Sequence, residues 1–181
     1  MYPDELTGTY TIDPAHSRFG FSARHAMVTR VRGHFPPVET AVHLDASDPA
    51  ASRVHIVLDA AGVDTGNPQR DSHLRTGDFL DAETHAHIVF TSTAVEHVDR
   101  DRFQVTGQLT LRGVTREISI PLDFVGAVVD AQGLNRVGFE GSTVINRKDF
   151  GVSFNAALET GGVMISEKVT LDFDLSAIKT A

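Results

Sequence analysis

The chain has 181 residues, enough for one generous domain around a single core. Sixteen Lys and Arg against 24 Asp and Glu leave a net charge of −8, which repels nucleic acid and anionic membrane surfaces over most of the face and speaks against a nucleic-acid role. With no Cys, the chain forms no disulfide, no thiolate metal site and no thiolate nucleophile.

The opening Met1-Tyr2-Pro3-Asp4-Glu5-Leu6 has neither a basic region nor an apolar stretch, and apolar runs such as 124–129 are far short of a membrane span. The expectation is a cytoplasmic protein with no membrane span, a loosely held tail over 1–8 and one domain over 9–178. From there the dominant pattern is alternation, the mark of strands with one buried and one wet face. Phe19, Phe21 and Ala23 share one parity, then Val38, Val42 and Leu44, then Val54, Ile56 and Leu58.

Residues 67–79 break the pattern. Asn67 suits a helix cap, Pro68 the first helical position, Asp71 the positive end of the dipole and Gly77 a left-handed terminator, which predicts a short helix over a barrel mouth. Alternation resumes at Ile88, Phe90 and Ala94, and continues through Phe103, Val105, Leu109 and Leu111. Ile118, Ile120, Leu122 and Phe124 follow, which predicts a hairpin turning near Gly113. Val137, Phe139 and Ile145 form the penultimate strand, and 146–151 reads as a turn or single helical turn ending in Gly151. Gly161-Gly162 reads as a loop before the last strand, where Val169, Leu171, Phe173 and Leu175 alternate with Thr170, Asp172, Asp174 and Ser176.

The fold class expected is all-β: a single elongated antiparallel barrel of about eight strands with one short helix near a mouth, a strand number at which a closed barrel holds one small ligand. Alternating stretches of roughly ten to twelve residues would reach roughly 35 Å, so the interior would be a long tunnel. Eleven Phe, two Tyr and no Trp supply aromatic bulk mostly without a polar handle, suited to a dry core or a lipid-lined cavity. By parity, Phe90, Phe103, Leu109, Phe124, Phe139 and Phe173 face inward with Phe19 and Phe21.

Candidate chemistry is sparse. His85 and His87 would share one strand face, and with His73 and Asp71 they are the residues a metal-dependent enzyme would use; exposed or hydrogen-bonded histidines at a loop edge are the preferred reading. The densest polar cluster is Arg70-Asp71-Ser72-His73-Leu74. Arg70 would grip a phosphate or carboxylate, or else pin the helix to the rim with Asp71. No Gly-x-Ser-x-Gly elbow and no phosphate-cradling loop occurs.

Several segments together resemble the YceI-like, polyisoprenoid-binding family, whose barrel is lipocalin-like. They are Ile12-Asp13-Pro14-Ala15-His16-Ser17 leading to Phe19, Phe21 and His25; Gly33-His34-Phe35; Arg70 to Leu74 with Asp78-Phe79; Gly107 to Thr115; and Asn146 to Gly151. The resemblance implies an apolar tunnel for a long isoprenoid, such as a polyprenyl phosphate or a quinone tail, with no other cofactor, and a homodimer. By position it makes His16, His25, Arg70, Asp71 and His73 the polar residues near the mouth, and Phe19, Phe21, Leu74 and Phe79 residues at or near the tunnel. The chain departs from the family's pattern at Tyr10, where Trp is common, and at Ala86, where Pro is common, and the export signal that many members carry is not expected here. The expected function is non-catalytic binding of a linear lipid for carriage, storage or sequestration. Metal-dependent catalysis and a solid barrel that binds a partner on its outside are the alternatives.

Overall fold

A computed structural model describes residues 3–158 and 164–181, so the loop expected at Gly161-Gly162 lies outside the described residues. Ten strands run in order: β1 (Gly8–Ile12), β2 (Arg18–His25), β3 (Thr29–Phe35), β4 (Pro37–Leu44), β5 (Arg53–Asp59), β6 (His87–Asp99), β7 (Arg102–Leu111), β8 (Val114–Val129), β9 (Asn135–Asn146) and β10 (Lys168–Lys179). Every pairing is antiparallel, and β10 bonds to β9 on one side and to both β1 and β2 on the other. β1 and β2 therefore lie end to end as one stave, as do β3 and β4 beside them. The result is a closed eight-stave up-and-down barrel with no helix long and apolar enough to cross a membrane among the described residues.

Both breaks have local causes. Between β1 and β2 the Asp13 carboxylate accepts the Ala15 N–H at 3.0 Å and caps a single turn, Pro14–His16. Between β3 and β4 stands Pro36, with Pro37 opening β4, and neither has the N–H a continuous ladder needs. Beyond that point β4 continues against β5 while β3 leaves it. The gap is covered by residues 60–82, joined to β3 by a bridge between His34 and Asp64.

That cover carries the one α-helix among the described residues, α1 (Pro68–Leu74), with the Asn67 side-chain amide oxygen accepting the Arg70 N–H at 3.1 Å. α1 stops at Leu74 rather than running to the expected Gly77, which does not adopt a left-handed conformation. The chain instead folds back: the Leu80 N–H donates to the Leu74 carbonyl at 3.0 Å and the Ala82 N–H to that of Arg75 at 3.0 Å. These bonds consume the last helical carbonyls and leave the terminating glycine no role.

Parity holds along most of the barrel and fails at bulges. A register shift between Pro37 and Glu39 turns Val38 outward, 58% exposed, while Val42 beyond it is buried. A second shift between Ser92 and Ala94 exposes Ala94 and buries Val95 in its stead. The hairpin expected near Gly113 is present, with Arg112 at φ 52° and Gly113 at φ 72°, the pair of left-handed residues a tight hairpin turn requires.

The core divides along the barrel axis. Ala60, Phe79, Ile88, Leu109, Ile145, Phe150 and Val152 fill the end under α1. Tyr10, Ile12, Phe19, Val42, Ile56, Val137 and Ala177 fill the other, where the Tyr10 hydroxyl donates to the Leu6 carbonyl at 2.8 Å and ties down residues 4–6. The N-terminal segment is thus tied to the barrel from Leu6 onward.

Candidate functional site

Eight staves enclose more room than these side chains fill. Beneath α1 lies a chamber of about 230 Å³, and toward the opposite end a second of about 120 Å³. Val54, Ile56, Val105, Leu122 and Leu175 line both, so the interior is two chambers meeting at a waist rather than one uniform tunnel. Ligand pockets commonly measure about 300 to 1,000 Å³, and the two chambers together reach the lower part of that range.

All ten residues expected at the tunnel stand in these walls. Phe19, Phe21, Leu74, Phe79, Phe90, Leu109 and Phe173 line the larger chamber; Phe103, Phe124 and Phe139 line the smaller. Phe rings are accommodated where the facing strand has no side chain. The Phe21 ring lies over Gly33, and the Phe90 ring over Gly107. Phe19 and Phe173 meet edge to face at 6.4 Å, and the Phe124 and Phe139 rings lie tilted to each other at 5.5 Å.

Apart from Gly20 and Arg147, every residue of the larger wall is aliphatic or aromatic. Water in such a chamber would find almost no hydrogen-bonding partner, so the space suits an apolar occupant. The smaller chamber adds only Asp45 and Ser52 at its rim, and the Asp45 carboxylate is taken up by its own turn, accepting the Ser47 and Asp48 N–H groups at 3.0 and 2.9 Å.

The polar candidates are not gathered at one mouth. His16 lies outside the wall at the break between β1 and β2, its ring bonded to Asp13 at 2.7 Å. His25 ends β2, exposed. Arg70 and Asp71 both serve Thr65: the Arg70 Nε donates to the Thr65 hydroxyl at 2.7 Å, and buried Asp71 accepts the Thr65 N–H at 2.9 Å. These bonds pin α1 to the segment before it. His73 packs edge-on against Phe79 of the larger chamber's wall at 5.0 Å and is bonded to Asp78 at 2.8 Å.

The metal alternative does not assemble. His73 is paired with Asp78, Asp71 with Thr65, and the His85 ring rests over Gly113. Among the described residues, no three His, Asp or Glu side chains stand close enough together to hold a metal ion.

Sequence reasoning missed Arg147, the one ionisable side chain among the described residues of the larger wall and only 4% exposed. Its guanidinium donates to the carbonyls of Ser166 (2.8 Å), Val152 (2.7 Å) and Phe154 (2.9 Å), closing the segment after β9 over the chamber. Burial pushes the guanidinium down from its ordinary pKa, opposed by the Glu167 charge. Nothing local signals this burial, because the carbonyls that receive the side chain come from residues up to 19 positions later.

A closed antiparallel barrel around an apolar interior places the molecule in the lipocalin-like class. The chain belongs to the YceI-like domain family, whose model matches residues 10–177. It is 34% identical over 165 residues to a UPF0312 protein of Ectopseudomonas mendocina, covering 89% of this chain and 86% of that one. A UPF0312 protein of Staphylococcus aureus is 33% identical over 164 residues, covering 90% and 93%. Among solved structures, BcnA of Burkholderia cenocepacia superposes with a TM-score of 0.81 at 22% identity, over 92% of this chain and 99% of its own. The YCEI protein of Campylobacter jejuni gives 0.75 at 26%, over 95% and 98%. A polyisoprenoid binding domain from Saccharophagus degradans gives 0.70 at 16%, over 96% and 99%.

Proposed function

We propose that the protein binds one linear apolar lipid, of isoprenoid or similar class, along the barrel axis, and carries, stores or sequesters it without chemical change. The observation that carries this reading is the pair of apolar chambers that share Val105, Leu122 and Leu175 in their walls. Two chambers in line suit a chain threaded through both better than a compact ligand. At about 0.8 kcal/mol per buried CH₂, ten enclosed carbons contribute about 8 kcal/mol, enough to offset a typical association cost. The polyisoprenoid-binding domain of Saccharophagus degradans, similar in fold, supports the ligand class. Binding is favoured over catalysis because the one ionisable group among the described residues of the larger wall, Arg147, is already engaged by backbone carbonyls.

Organic extraction of the purified protein followed by mass spectrometry tests the reading. A linear lipid near one equivalent is expected. Absence of any such compound, with no uptake of an added polyprenol or a hydrophobic fluorophore, overturns it.

A further inference from the structure

The charge of this acidic chain is unevenly placed. From Pro14 to Val38 there are four Arg, three His and no Asp or Glu. That stretch is the β2–β3 hairpin, at the same end of the barrel as α1 and the larger chamber. On its outer face Arg24 and Arg30 stand directly opposite each other across the strands, with Arg32 opposite Ser22 next along. All three are exposed, and among the described residues no carboxylate lies within ion-pairing distance of any of them. Like charges facing across a ladder destabilise a sheet, so this arrangement costs the free protein something.

The tip breaks a second local rule. Ala26 and Met27 are left-handed at φ 51° and 61°, positions that Asn and Gly usually occupy, and Met27 and Val28 are 64% and 76% exposed. An apolar tip flanked by uncompensated arginines combines the two forces that hold a protein at a lipid surface: insertion of side chains among acyl chains and attraction to anionic head groups.

We propose that the β2–β3 hairpin docks the protein on an anionic lipid bilayer. The hairpin continues into the chamber wall. The Ala26 N–H donates to the Met164 carbonyl at 2.7 Å and the Ser166 N–H to that of Arg24 at 3.1 Å, while Ile165 between them lines the larger chamber. A bilayer in contact with Met27 would therefore sit beside the segment that Arg147 holds over the chamber. The remaining acidic surface would be repelled, which orients the molecule tip-first. Docking stands independently of what the chamber holds.

Co-sedimentation of the full chain with vesicles of phosphatidylcholine alone, and of phosphatidylcholine with phosphatidylglycerol, tests the proposal. Partition onto the anionic vesicles alone, weakening with added salt, is expected. The double variant Arg30→Gln/Arg32→Gln should lower it about 30-fold, and Met27→Asp should lower it as well, with unchanged circular dichroism and, in the double variant, no loss of thermal stability. Failure of the wild type to sediment with anionic vesicles, or equal partition of wild type and double variant, overturns the proposal. Retention on heparin through these arginines without vesicle binding would assign the surface to a soluble polyanion instead. Self-association of the double variant without any vesicle binding by the wild type would make the arginines guards of β3's open edge.

Discussion

The Arg136 guanidinium on β9 donates to the Asp13 carboxylate at 2.7 Å, across the outside of β10. The same side chain donates to Asp130 at 2.6 Å and to the Ser176 hydroxyl at 3.2 Å. One cation thus fastens the break between β1 and β2 to the turn between β8 and β9. Asp13 and Arg136 are 12% and 16% exposed at their side chains, so the pair is largely shielded from solvent.

Acid should loosen this clasp. The Arg136 guanidinium, with His16 beside it, holds the Asp13 carboxyl at about 2, against an ordinary value of 3.8. A carboxyl depressed in the folded state contributes stability that is fully present above the unfolded value and lost as pH falls through the folded one. The melting temperature should therefore decline between about pH 4 and pH 2, and Asp13→Asn should make that decline shallower. At neutral pH Asp13→Asn, which keeps the shape and loses the charge, should cost about 2 kcal/mol in urea denaturation. An identical acid profile in the variant would remove Asp13 from the account.

Arg147 should be intolerant of even conservative change. Arg147→Lys keeps the charge but cannot reach the carbonyls of Val152, Phe154 and Ser166 together, and it leaves a buried ammonium partly unsatisfied. A loss of about 3 kcal/mol is expected, with faster amide exchange after β9 than elsewhere in the barrel. Uniform exchange throughout would show that Arg147 acts on global stability alone.

Glycines at β9 and β3 separate fold from capacity. At Gly141 an added methyl would collide with the Pro121 carbonyl oxygen, a backbone atom fixed in β8, so Gly141→Ala should cost about 3 kcal/mol through the β8–β9 ladder. At Gly33 it would meet the end of the Phe21 ring at 2.5 Å and the Thr65 methyl at 2.8 Å, both side-chain atoms that can move. Gly33→Ala should keep the fold, push Phe21 into the larger chamber, and reduce lipid capacity. Binding of a fluorescent polyprenol analogue, measured beside thermal melting, distinguishes the two.

Alternation was a reliable guide wherever the ladder ran unbroken. Phe103 to Leu111, Ile118 to Phe124 and Val169 to Leu175 all face inward as their parity required. It failed at Val38 and Ala94, because a bulge inserts one residue and reverses parity without any compositional mark. The start of α1 was legible in Asn67 and Pro68, whose effects are local; its end was not, because bonds from Leu80 and Ala82 decide it. The polar residues divide for the same reason. Arg70 and Asp71 could be read as a pair that pins the helix in place, whereas the setting of Arg147 depends on carbonyls up to 19 positions later. Long strands implied a long interior, but not the waist, which arises where side chains from β5, β7, β8 and β10 converge.

That waist gives the most direct measure of how a chain lies in the barrel. Val105 lines both chambers, and replacing it with Trp would fill the passage between them while leaving the wall of each otherwise unchanged. Overpacking should cost about 1 to 3 kcal/mol of stability. In the wild type, affinity for a series of linear alcohols or polyprenols should rise about four-fold per added methylene while new carbons continue to be enclosed. In Val105→Trp the rise should stop at a shorter length, because the chain can occupy only one chamber. Isothermal titration across the series reads the break point. Parallel dependence on length in both proteins would mean that the ligand does not thread the waist, and would confine it to the chamber beneath α1.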